Sequence, residues 1–316
     1  METAPIVFPP WGTQTAEDLE SMQLNFGVPP DFKIGQGIGG GALRNAWNDF
    51  IASTLQVISD SVWPAYDFQI MDWPAGTQDR RFRLTEADLQ IMEAMNQETP
   101  KHLQKPISTP VSSPAAPTHF VRYQAEDNSI IGRNYADYDM TLPAERLAEV
   151  PVQFASGLEK KSGSTAKQLK RFLQRPRAYQ MAAQFRKFGF EHKDASTAHS
   201  PSTISGHGLA GMIGAGAVVD FWLKKNVTLM RDSWTALHQF MVDVGDRRVF
   251  AGVHYPSDNL SSWITSLLLG KEVFEKKETL QHMWDAIQLS YVYQKIVEHP
   301  GDAYKPGLTA LTKLKP

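Results

Sequence analysis

Residues 208–222, GLAGMIGAGAVVDFW, are the most apolar stretch of the chain and the one that most restricts its fold. The run is shorter than the roughly 20 residues that cross a bilayer. Asp220 interrupts it, and Lys224 and Lys225 follow it. A segment of this kind reads as a buried helix, so the rest of the chain has to enclose it. The flanking pattern supplies helices for that purpose. Apolar residues recur at helical spacing from Ala42, with Leu43, Trp47, Phe50, Ile51, Leu55 and Ile58 on one side. Thr85-Glu-Ala-Asp88 reads as a capping box opening a second helix. The later spacing predicts helices over 143–160, 164–174, 176–189, 208–224, 228–243, 256–270 and 277–298. No run alternates cleanly enough for a strand. The expected fold is an all-α helical bundle with an irregular front rich in proline and glycine.

Five prolines among serines and threonines over residues 99–118 mark a surface loop or linker. This suggests an N-terminal extension over 1–140, with irregular segments and helices packing on a core, and a helical catalytic core over 141–316. A chain of 316 residues suffices for one large domain or two modest ones. A net charge of −2 carries no basic excess for nucleic acid. With no cysteine, disulfides, thiolate zinc sites and cysteine nucleophiles are excluded. The N-terminus, METAPIVFPPWG, has neither a basic nor an apolar signal region, so a soluble, cytoplasmic protein without an integral membrane segment is expected. Gly35-Gln-Gly-Ile-Gly-Gly40 fits a dinucleotide fingerprint, but VPPDFKI before it is a poor strand. It reads as a flexible loop before the helix at Ala42.

Three short stretches carry candidate chemistry. In RVFAGVHYPSD, Arg248 to Asp258, Pro256 suits the first turn of a helix. His254 and Asp258 are four apart and share a face there. A carboxylate accepting Nδ1–H fixes the tautomer and leaves Nε2 as a lone-pair nucleophile. Arg248 offers fork-shaped donors for a tetrahedral oxyanion. In Ser205-Gly206-His207, a turn precedes the apolar helix, and N–H groups at a helix start bind anions. Ser205 adds a hydroxyl, Gly206 permits close approach, and His207 stands where it can give or take a proton. Arg175-Pro176 follows a basic segment containing Lys167, Lys170 and Arg171. Each stretch also has a plain reading as a capped helix, a Ser/Gly turn or a solvated basic face.

In this order the three resemble the signature of the type 2 phosphatidic acid phosphatase superfamily, which includes class A acid phosphatases, lipid phosphatases and vanadium-dependent haloperoxidases. Its pattern is K-x6-R-P, then P-S-G-H, then S-R-x5-H-x3-D. The last motif fits from Arg248 through His254 to Asp258, with Arg247 in the serine place. The second fits as Ser205-Gly206-His207, with Ile204 for proline. The first keeps Arg175-Pro176, with Gln168 where lysine belongs. The resemblance covers roughly residues 160–270. It implies a helical bundle with an oxyanion pocket, His254 as nucleophile, Asp258 as its orienter, and His207 as acid and then base. Arg175, Arg248, Ser205 and Gly206 would hold the oxyanion, with Lys167 or Arg171 replacing the missing lysine. The implied activity is metal-independent phosphatase chemistry on a small phosphorylated substrate through a phosphohistidine, without a cofactor. The alternatives are a vanadium-dependent haloperoxidase whose vanadate is ligated by His254, a transferase or non-hydrolytic member, or a scaffold with relic motifs.

Overall fold

The computed structural model describes residues 42–65, 79–97, 152–178, 181, 200–228, 231–250 and 252–316. Among these the chain is all-α and no strand occurs. The helices are α1 (Ala42–Ser61), α2 (Arg80–Gln97), α3 (Val152–Leu173), α4 (Gly206–Lys224), α5 (Arg231–Phe250), α6 (Pro256–Val273), α7 (Lys277–Leu289), α8 (Tyr291–Glu298) and α9 (Lys305–Thr312). None of the described helices is long and apolar enough to cross a membrane. The Gly35–Gly40 run, the proline-rich stretch over 99–118 and most of the expected helix over 176–189 lie outside the described residues.

Two central helices organise the bundle by opposite chemistries. The apolar run forms α4, buried continuously from Gly211 to Asp220 and enclosed by α3, α5, α6 and α7. Gly211 allows the α5 contact, because a Cβ there would lie 2.9 Å from Val244 Cβ and 3.0 Å from the Met241 carbonyl. Asp220, the interruption in the run, accepts the Lys276 N–H at 2.8 Å and pairs with Lys224 at 2.9 Å. It thereby ties the end of α4 to the start of α7.

Helix α6 is buried although it is rich in serine. Ser261, Ser262, Thr265 and Ser266 each donate to the carbonyl four residues back, at 2.6–3.0 Å. Their hydroxyls are thus satisfied within the helix and can enter the core. Around α6 pack α1, α2, α4, α5, α7, α8 and α9, so N- and C-terminal helices share one core with the middle of the chain.

Several expected boundaries are corrected. The helices over 143–160 and 164–174 become one helix through Ser162-Gly163-Ser164. Glycine there costs about 1 kcal/mol relative to alanine, and the face formed by Ser162, Thr165, Ala166, Leu169, Lys170 and Leu173 is buried on both sides of it. Packing overrides propensity. The Thr85–Asp88 capping box is not formed. Helix α2 starts at Arg80, where Asp79 accepts the Arg81 N–H at 2.7 Å. Thr85 and Asp88 lie inside the helix and are fully buried. The expected helix over 277–298 breaks at Ser290, whose hydroxyl accepts the Tyr293 N–H at 3.0 Å and starts α8. Helix α5 runs on to Phe250, and α9 was not anticipated.

Candidate active site

The three sequence stretches converge, with one change of register. The last turn of α5 carries Arg247 and Arg248, and the chain reverses after Phe250. Gly252 has φ +72°, a left-handed conformation open to glycine, and the Val253 and His254 N–H groups donate back to the Arg248 carbonyl at 3.2 and 3.3 Å. This turn sets His254 immediately before α6, which begins with Pro256 at its first position. Asp258, one turn into α6, accepts the Tyr255 N–H at 3.1 Å and meets His254 Nδ1 at 3.0 Å. The pair is buried, with His254 at 3% exposure.

Asp258 is among the most solicited groups of the molecule. Besides His254 and the Tyr255 N–H, it receives the hydroxyls of Ser202 and Thr203, each at 2.5 Å, and Arg175 Nη1 at 3.4 Å. Burial alone would raise its pKa, but the His254 bond and the Arg175 charge hold it well below the usual carboxylate range. An ionised carboxylate only accepts, so Nδ1 of His254 carries the proton and Nε2 carries the lone pair. Burial, and then the nearby Arg177 charge, push the histidine pKa well below 6.5, against the pull of Asp258. His254 is therefore a neutral imidazole whose Nε2 lies 3.2 Å from Arg177 Nη1.

The cations around it differ from those expected. Helix α3 ends at Leu173, Gln174 turns the chain with φ +45°, and residues 174–177 run without helical structure. Arg177 then reaches the site. Its Nη1 contacts both His254 nitrogens and donates to the Val253 carbonyl, and its Nε donates to the Ser200 carbonyl at 2.7 Å. Lys170 donates to the carbonyls of Pro201 and Ser202, the latter at 2.9 Å. Both contacts hold the amine against the turn that precedes α4. Burial first, then Arg177 and Arg248, push the Lys170 pKa well below 10.5, which brings all three cations within one electrostatic neighbourhood.

These contacts correct three expectations. Lys167 is exposed and Arg171 half-buried, and the amine that enters the site is that of Lys170. Lys170 lies on the buried stripe of α3, which is the sequence signal that could have found it. Arg175 does not face the His254 lone pair. It is fully buried, pairs with Asp88 at 2.7 Å, and is sandwiched between Tyr255 at 3.7 Å and Trp63 at 4.2 Å. Arg177 takes the place expected of it. Lys170 and Arg177 are seven apart, the separation in K-x6-R, with Ala178 where the pattern has proline. Arg175-Pro176, by contrast, has Gln168 seven residues before it.

Ser205 and Gly206 form the start of α4. Ser205 is the N-cap, its hydroxyl accepting the Gly208 N–H at 3.1 Å. Its carbonyl receives Ser262 Oγ from α6 at 2.9 Å, and its N–H donates to the Asp258 carbonyl at 3.4 Å. The helix start is thus fixed to the same turn of α6 that carries Asp258. Gly206, at the first helical position, has an N–H with no intrahelical acceptor. His207 follows in the first turn and is half-buried. The assembled site offers a neutral imidazole nitrogen, three buried cations and a helix N-terminus, a donor set suited to a tetrahedral oxyanion.

No protein-family model matches the sequence, no curated protein matches it, and no solved structure matches the fold.

Proposed function

We propose that the chain is a phosphohydrolase that forms a phosphohistidine at His254 and acts on small phosphorylated substrates. One observation carries the reading: the neutral His254 imidazole has Nδ1–H held by Asp258 and Nε2 beside Arg177, with Lys170 and Arg248 close by. The resemblance of the three motifs supports it, more so with Lys170 and Arg177 in the first. The Nε2 lone pair attacks phosphorus, and the bond to the leaving oxygen breaks. His207 gives that oxygen its proton, worth roughly 10²–10⁴-fold in rate. It next takes a proton from water, whose oxygen attacks the phosphohistidine, releasing inorganic phosphate and restoring His254. Lys170, Arg177, Arg248 and the Gly206 N–H neutralise the charge that gathers on the phosphoryl oxygens.

The first test is phosphate release from p-nitrophenyl phosphate, combined with brief exposure to phosphoryl-labelled substrate. Release by the native chain is expected, with an acid-labile, base-stable label that His254→Ala lacks. Vanadate, a mimic of the five-coordinate state, is expected to inhibit competitively and well below the Michaelis constant. No release by the native chain, or a label that survives His254→Ala, overturns the reading. Bromide oxidation switched on by vanadate and peroxide replaces it with the haloperoxidase alternative, for which the same donor set is suited.

A further inference from the structure

The proposed mechanism makes no use of the buried network around Asp88. Asp88, deep inside α2 and fully buried, receives four donors: Arg175 Nη2 at 2.7 Å, the Ser257 N–H at 2.9 Å, Ser257 Oγ at 2.5 Å and the Tyr304 hydroxyl at 2.7 Å. Arg175 lies between this carboxylate and Asp258, and its Nη1 also donates to Ser257 Oγ at 2.6 Å. Ser257 is the residue before Asp258. From this geometry we infer that Asp88, Arg175 and Tyr304 are positioning residues that fix Asp258, and through it the Nδ1–H of His254, so that α2 and the turn before α9 belong to the reactive unit.

Charge balance gives the reason. Arg175 is enclosed by two aromatic rings and two carboxylates, away from bulk water. If Asp258 alone neutralised it, that carboxylate would be drawn from His254 toward the guanidinium. With Asp88 on the other side, Arg175 is balanced from two directions and Asp258 keeps an oxygen, Oδ2, for the imidazole. Burial pushes the Asp88 carboxyl up, opposed by Arg175, Ser257 and Tyr304. Each of the four contacts can present a donor, which suits the ionised form. A buried ion pair held only for stability can often be exchanged for apolar packing without loss. Here three charges are linked in series, Asp88 to Arg175 to Asp258, and the last of them holds the histidine.

The inference extends the proposed function, but its test needs no substrate. The Nδ1–H proton of His254 is followed by ¹H–¹⁵N NMR in the resting protein, assigned by its disappearance in His254→Ala. A low-field, slowly exchanging signal is expected in the native chain. In Asp88→Asn, which keeps the shape and removes the charge, it moves upfield and exchanges faster. Tyr304→Phe, which removes one donor from Asp88, shifts it less in the same direction. Where Asp88→Asn does not fold, Tyr304→Phe decides on the same reading. An unmoved His254 signal in a folded variant overturns the relay and leaves a purely structural cluster. Failure of phosphate release would leave this measurement intact. Where hydrolysis is present, Asp88→Asn is expected to lower kcat by about 10-fold or more, as misaligning a proton-holding group does, with KM little changed.

Discussion

Lys167 and Lys170 are one helical turn apart on α3, yet one is exposed and the other is 6% exposed beside His254. The difference gives a sharp prediction about which cations act. Lys170→Met and Arg177→Met should each reduce kcat/KM for phosphate ester hydrolysis by roughly 10²–10³-fold, the effect of removing one preorganised donor. Lys167→Met and Arg171→Met should leave it within a factor of a few. Steady-state kinetics on the four variants checks this, and equal losses in all four would remove Lys170 from the site. The His254–Asp258 pairing was legible from a spacing of four residues and a proline. Asp88 was hidden because Thr85 and Asp88 match a helix-start pattern. It also falls on the stripe of Leu84, Ile91, Met92 and Met95, where a carboxylate calls for a buried partner. That clue is visible only once the helix is known to begin earlier.

Among the elements, α5 carries a second set of buried charges that bears on the seam between α5, α6 and α8. Asp246 is fully buried and accepts Ser290 Oγ at 2.8 and 2.9 Å and Asn259 Nδ2 at 3.2 Å. Burial, then the nearby Asp243, raise its pKa to about 7. Since the folded pKa lies above the unfolded one near 3.8, the folded state binds more protons between those values, and the group weakens the fold as pH rises through that window. Asp246→Asn should therefore raise Tm at pH 8 by several degrees and change it little near pH 4. The amide also gives the buried Asn259 Oδ1, which has no hydrogen-bond partner among the described residues, a donor within reach. Thermal unfolding at the two pH values checks this, and a lower Tm at pH 8 would contradict it. Helix identities were mostly legible because periodicity reports burial directly. Boundaries such as those at Gly163 and Ser290 were set by packing and by a hydroxyl cap, which no local pattern contains.

At the scale of the molecule, a second group titrates across the same range with the opposite sign. His238 on α5 meets His282 on α7 at 2.8 Å beneath Trp234. Burial, then His282, lower the His238 pKa to about 4. A depressed histidine stabilises the fold above its unfolded value near 6.5, and that contribution is lost as pH falls toward 4. The Asp246 and His238 slopes, each about 1.4 kcal/mol per pH unit at most, oppose one another between pH 4 and 6.5. Relative to the native chain, Asp246→Asn should lose Tm on acidification through this range and His238→Gln should gain it. Parallel melting curves for all three would refute the compensation. The topology has its own consequence. Asp88 is reached by Arg175, by Ser257 at the start of α6 and by Tyr304 before α9, which are 87, 169 and 216 residues away in sequence. A nascent or partly folded chain that lacks any one of these segments leaves Arg175 with a different counter-charge. The polar network behind His254 is thus completed only when the last helix docks, which makes the state of the His254 Nδ1 proton a reporter of finished assembly.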